Sequence, residues 1–151
     1  MSLKTLIIGI GNPLRQDDGL GAAAAAQLEV RLASASIQVM HCHQLVPELA
    51  ETLAQAELAI FIDACVEGEP GTLTSKTLTP LDSDSRYTHS ADPAVLLGSA
   101  HHLYGRAPRA WLFTLTGADF VYSEALSPTV ANALPHLIDA VIACLKCEGA
   151  L

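Results

Sequence analysis

A chain of 151 residues, half of them hydrophobic and 16% charged, carries enough apolar side chains for the full core of one domain spanning 1–151. Its formal charge of −8 argues against nucleic acid or an anionic membrane as the main partner, because both reward Lys and Arg. An acidic surface suits a cation, or a protein that carries one.

The chain opens Met1-Ser2-Leu3-Lys4, and the apolar run behind it is too short for a signal-peptide core with its cleavage site or for a membrane span. It reads as cytoplasmic, so Cys42, Cys65, Cys144 and Cys147 are expected as thiols. Residues 5–10 form an apolar first strand. Residues 19–33 read as the first helix, and the run of Ala at 22–26 favours helix and lets it lie close on a sheet. Residues 37–42 are a second strand. Residues 47–56 are a second helix with Pro47 in its first turn. Residues 58–63 (Leu-Ala-Ile-Phe-Ile-Asp) are apolar on both faces, as a central strand is.

Gly68-Glu-Pro-Gly71 marks a turn, and residues 72–79 alternate Thr and Ser with Leu and Lys, the pattern of an edge strand. Residues 81–88 read as polar loop. Asp92-Pro93 is a cap followed by a first-turn proline, opening a helix over 92–103. Residues 110–116 are a last strand. Ser127-Pro128 repeats the cap-and-proline signal before a helix that runs to about residue 146, with Val130, Leu134, Leu137, Val141 and Leu145 on one face. Pro135 predicts a kink in it and Gly149 a stop. Alternating strands and helices give an α/β fold: a three-layer domain with a mostly parallel five-stranded twisted sheet, one antiparallel edge strand and helices on both faces.

Ligands of such folds gather beyond the carboxyl ends of the strands. Residues 6–21 place Gly9, Gly11, Asn12 and Pro13 there, then Asp17 and Asp18 at a helix entrance. Asp63 closes the third strand, and His89 lies in the loop before the third helix. With the first and third strands adjacent, an aspartate of the 17–18 pair, Asp63 and His89 can reach one rim. Two converging carboxylates repel and raise a pKa unless a cation stands between them. Two carboxylates and an imidazole form a mixed site usable by Zn²⁺ or Ni²⁺. Of Asp17 and Asp18, one is expected to bond loop amides or the helix N-terminus and the other to face the cleft. The residues alone do not say which.

Other clusters carry less. His41 and His43 share a strand face that Cys42 does not, and are expected in a structural or substrate-contact role. Cys144 and Cys147 have CxxC spacing without a second pair and read as thiols on a helix. His101, His102 and His136 read as surface or half-buried positions. Leu14 stands where a dinucleotide fingerprint needs its third glycine, no Gly-x-Ser-x-Gly elbow occurs, and Cys65 has no base beside it.

The stretch Gly11-Asn12-Pro13-Leu14-Arg15-Gln16-Asp17-Asp18-Gly19-Leu20-Gly21 resembles the opening motif of the nickel-iron hydrogenase maturation endopeptidases, Gly-Asn-x-Leu-x-x-Asp-Asp/Glu-x-x-Gly. His43-Gln44-Leu45-Val46-Pro47-Glu48-Leu49, Phe61-Ile62-Asp63-Ala64, Thr88-His89-Ser90 and Ser127-Pro128-Thr129-Val130 resemble later segments of that family. The resemblance implies a peptidase that removes a C-terminal extension from the nickel-loaded precursor of a hydrogenase large subunit. It implies that Asp18, rather than Asp17, joins Asp63 and His89 as the metal-contacting and catalytic trio, with nickel carried by the substrate. Many members carry Asp-Gly-Gly-Thr where this chain has His41-Cys42-His43-Gln44, so an additional acid of that stretch is missing and substrate choice is expected to differ.

Two other readings use the same residues. A binding module could recognise the nickel-loaded precursor through the trio without cutting it. Leu6-Ile7-Ile8-Gly9-Ile10-Gly11-Asn12-Pro13 is also similar to the first strand of peptidyl-tRNA hydrolases, but the loop after it is acidic where theirs is basic. No apolar stripe is left over once the core helices are placed, so a monomer is expected.

Overall fold

The computed structural model describes residues 4–82 and 92–151. Its strands are β1 (Thr5–Ile10), β2 (Ile37–Cys42), β3 (Leu58–Cys65), β4 (Leu73–Leu78) and β5 (Arg109–Thr116). They form one sheet in the order β2-β1-β3-β5-β4. The pairs β1–β2, β1–β3 and β3–β5 are parallel, and only edge strand β4 runs antiparallel, against β5. This is the expected architecture. The helices are α1 (Leu20–Arg31), α2 (Leu49–Ala54), α3 (Pro93–Tyr104) and α4 (Pro128–Cys147), and a 3-10 turn (Gln16–Gly19) precedes α1.

Strand side chains alternate between two cores. Ile7, Ile60, Ile62, Phe113 and Leu115 meet α1 and α4 on one face of the sheet. Leu6, Ile8, Ile10, Ala59 and Phe61 meet α2 and α3 on the other. The anticipated stripe of α4, from Val130 to Leu145, is wholly buried in the first core. By length and composition α4 could cross a membrane, but its apolar face is used inside this domain.

α1 lies unusually near the sheet because glycine faces glycine. A β-carbon on Gly9 would sit 2.0 Å from the carbonyl oxygen of Gly21, and one on Gly21 would sit 2.4 Å from the backbone of Ile10. Neither contact can be relieved by turning a side chain. Gly21→Ala is therefore expected to lower stability by about 2 kcal/mol or more, measured by urea denaturation, because α1 must lift off the sheet.

Several boundaries differ from expectation. Pro47 is not in the first turn of α2; it lies two residues before the helix in a turn whose carbonyl, at Pro47 itself, accepts from the amide of Ala50. β3 extends to Cys65, two residues past Asp63, because β5 continues alongside it to the Cys65–Thr116 pair. α4 runs through Pro135 without ending. The carbonyl of Ala131, which loses a ladder partner there, belongs to an exposed residue that water can serve. The caps are as anticipated: the Asp92 side chain accepts from Ala94 at 2.9 Å, and Ser127 from Val130 at 3.4 Å.

Candidate functional site

The loop after β1 is built around Gly11, whose φ of +133° a side chain would resist and whose β-carbon would fall 2.0 Å from the carbonyl oxygen of Asp18. The chain then turns at Gln16 (φ 45°) into the 3-10 turn that carries both acids. They go separate ways.

Asp17 is completely buried. Its carboxylate accepts from the amides of Ala118 (2.7 Å), Asp119 (3.0 Å) and Ser127 (2.8 Å), and from the Ser127 hydroxyl (2.8 Å). Burial alone would raise its pKa, but these donors outweigh that, led by the Asp119 amide and the Ser127 pair, and hold it below its usual value. One acid was expected to bond loop amides or a helix N-terminus. It does, but its partners come from a loop and a helix cap about a hundred residues away, joining the start of α1 to the start of α4.

Asp18 is half-buried and accepts from the amide of Asn12 at 2.8 Å through Oδ2. The turn that carries it packs against β3. Asp63 stands on β3 one residue beyond the last β1 pair, Gly9–Ile62, so no neighbouring strand covers that side. Period two places its side chain on the Phe61 face, toward α2 and α3. Burial raises its pKa to about 6; the amide of Ala64, donating to Oδ1 at 2.8 Å, opposes this, and the nearby charge of Asp18 adds to it. Asp18 and Asp63 thus lie near each other at the rim, while Asp17 is turned into the core.

His89 lies outside the described residues. Among the described residues, no three His, Cys, Asp or Glu side chains are grouped to hold an ion. Asp92, three positions on in sequence, caps α3. This helix leads straight back to the start of β5, so its N-terminus is at the carboxyl end of the sheet, on the Asp63 face.

Cys42 also reaches this rim. Burial raises its pKa, and the charge of Asp63 raises it further, which makes it a poor nucleophile. Cys144, in the CxxC pair at the end of α4, is pushed up to about 11 by burial and by Glu148 and Cys147, so it holds no reactive thiolate. All four cysteines are free. His101, His102 and His136 are exposed on their helices. The residue that the sequence placed least sharply is His41: its Nε2 is 2.9 Å from the carbonyl oxygen of Gly11, in the loop that leads to Asp17 and Asp18. Alternation located its face, but only the β1–β2 register, with Gly9 opposite His41, gives the contact.

No family model matches this chain, and no curated protein does. Solved structures do. The hydrogenase maturating endopeptidase HybD from E. coli superimposes with a TM-score of 0.80 at 21% identity, over 97% of this chain and 94% of that one. The NiFe hydrogenase maturation protease HycI from Thermococcus kodakarensis KOD1 gives 0.75 at 21% identity, over 96% and 94%. A hydrogenase 2 maturation peptidase from a Thaumarchaeota archaeon gives 0.71 at 25% identity, over 94% and 97%.

Proposed function

Since this chain has the fold of the hydrogenase maturation proteases over nearly its whole length, we propose that it is a peptidase of that kind. Its substrate is the precursor of a nickel-iron hydrogenase large subunit, loaded with nickel, from which it removes a C-terminal extension. The observation that carries this reading is the fold shared over nearly the whole chain, with Asp18 and Asp63 both placed at the carboxyl rim, where such folds bind ligands. Two carboxylates that repel in the free protein are relieved by a divalent ion brought in by the substrate. Asp18, Asp63 and the imidazole of His89 grip that ion, and the grip sets the scissile peptide in register.

Each carboxylate has one oxygen engaged by a backbone amide, Oδ2 of Asp18 and Oδ1 of Asp63, which fixes its orientation and leaves the other oxygen for the ion or a proton. A carboxylate of the rim acts as general base toward the attacking water. The nickel adds polarisation of the nearby carbonyl. The raised thiol of Cys42 takes no part.

Mass spectrometry of a nickel-loaded precursor after incubation tests this. The wild-type protein is expected to leave a shortened C-terminus. Asp18→Ala and His89→Ala should retain the wild-type circular dichroism and leave the precursor at full mass. Normal trimming by both variants would refute the assignment. A precursor bound tightly but left uncut by the wild type would make the protein a binding module instead.

A further inference from the structure

We propose that His41 is a positioning residue that holds Asp18 in place through a single peptide group. The Gly11–Asn12 peptide offers its carbonyl to one side and its N–H to the other. His41 Nε2 donates to the carbonyl oxygen of Gly11 at 2.9 Å, and the N–H of Asn12 donates to Asp18 Oδ2 at 2.8 Å. The acceptor is a carbonyl, so the proton of the contact sits on Nε2 of the imidazole. A donor on the oxygen of an amide polarises its N–H, so the first hydrogen bond strengthens the second.

The geometry leaves this peptide little room. Gly11 is buried and has a φ open to glycine, and an added β-carbon would touch both the carbonyl oxygen of Asp18, at 2.0 Å, and its Oδ1, at 3.1 Å. The amide of Gly11 donates to the carbonyl of Cys42 at 3.0 Å. β2 therefore grips the loop twice, through its backbone at Cys42 and through the His41 ring. The backbone bond fixes where the loop starts, and the ring fixes the plane of the next peptide, on which the Asp18 carboxylate hangs. His43, whose ring centre is 5.9 Å from that of His41, flanks the relay.

The relay stands on contacts within this chain; that Asp18 then meets nickel rests on the function proposed above. The amide signal of Asn12 reads the relay without any substrate. In His41→Ala, the Asn12 amide proton should move upfield and exchange with solvent about fivefold faster or more, the worth of one net hydrogen bond. The amides of Ala118 and Asp119, which serve Asp17, should stay unchanged. His41→Gln, which carries a donor at nearly the reach of Nε2, should restore the Asn12 signal, and His41→Asn, which falls short, should not. Titration with Ni²⁺ alone should show weaker binding in the Ala and Asn variants and recovery in the Gln variant. An unchanged Asn12 signal in folded His41→Ala would overturn the proposal. So would a loss spread equally over Asn12, Ala118 and Asp119, because that is general loosening. If the Ala variant does not fold, the contrast between Gln and Asn decides alone. The expected Asn12 pattern in a protein that cuts no precursor would leave the relay standing and remove the peptidase reading.

Discussion

Asp63→Asn is expected to abolish precursor trimming while making the free protein more stable. Burial first, and then the nearby charge of Asp18, push the carboxyl of Asp63 up from the ordinary 3.8 to about 6. The folded state therefore binds the proton more tightly than the unfolded chain, and stability falls as pH rises between these two values. Above pH 6 the full penalty is present, on the order of 2–3 kcal/mol. Asparagine keeps the oxygen that accepts from Ala64 and carries no charge. The gain in urea midpoint should be largest above pH 6 and vanish below pH 4. Added Ni²⁺ should raise the melting temperature of the wild type, by relieving the same repulsion, and leave the variant unmoved. On the function proposed above, cleavage should drop by at least about a hundredfold, since a ligand of the ion is lost. A variant that is no more stable at pH 8 would show that the charge of Asp63 carries no penalty, and one that still trims would show that it is not used. A protein that trades stability for a charged site in this way follows a common pattern.

The neighbouring acid should behave in the opposite sense. Asp17→Ala is expected to destabilise the fold by roughly 4 kcal/mol, equivalent to about 10 °C in melting temperature for a domain of this size. It leaves the amide and hydroxyl of buried Ser127, and the amides of the exposed residues Ala118 and Asp119, without their acceptor. It also loosens the cap of α4, because the Ser127 hydroxyl is both the cap of Val130 and a donor to Asp17. The pKa of Asp17 is lowered on folding, so its stabilisation is present above the unfolded value near 4 and is lost as pH falls through the folded one. The wild type should therefore lose stability in that acid range and the variant should lose less. Urea midpoints between pH 2 and 7 measure this. A loss under about 1 kcal/mol at neutral pH would mean that water replaces the carboxylate. Two adjacent aspartates thus divide the work: removing Asp17 threatens the fold, and removing Asp18 is expected to silence the site.

Much of this was legible along the chain. The apolar runs of β1 and β3, the stripe of α4, and the caps at Asp92 and Ser127 are local signals, set by side-chain period and by what a helix N-terminus needs. They determined which segments are strand and helix, and that the acids follow β1 and β3. Boundaries that depend on a partner strand were not readable: β3 passes Asp63 only because β5 goes with it, and Pro47 falls outside α2.

By itself, then, the sequence determined the order of elements, the parallel sheet with its antiparallel edge, and a rim that gathers acids. The resemblance of the opening motif pointed to Asp18 for the rim, and only the tertiary structure showed what Asp17 holds together. It also buried the Asp63 carboxyl and brought the His41 ring onto the carbonyl of Gly11. The physical reason is distance along the chain. Period and capping act within a few residues, whereas Asp17 is held by amides about a hundred residues away, Asp63 takes its charge state from burial under other elements, and His41 meets Gly11 across thirty residues. Such contacts exist only once the sheet has brought its strands into register.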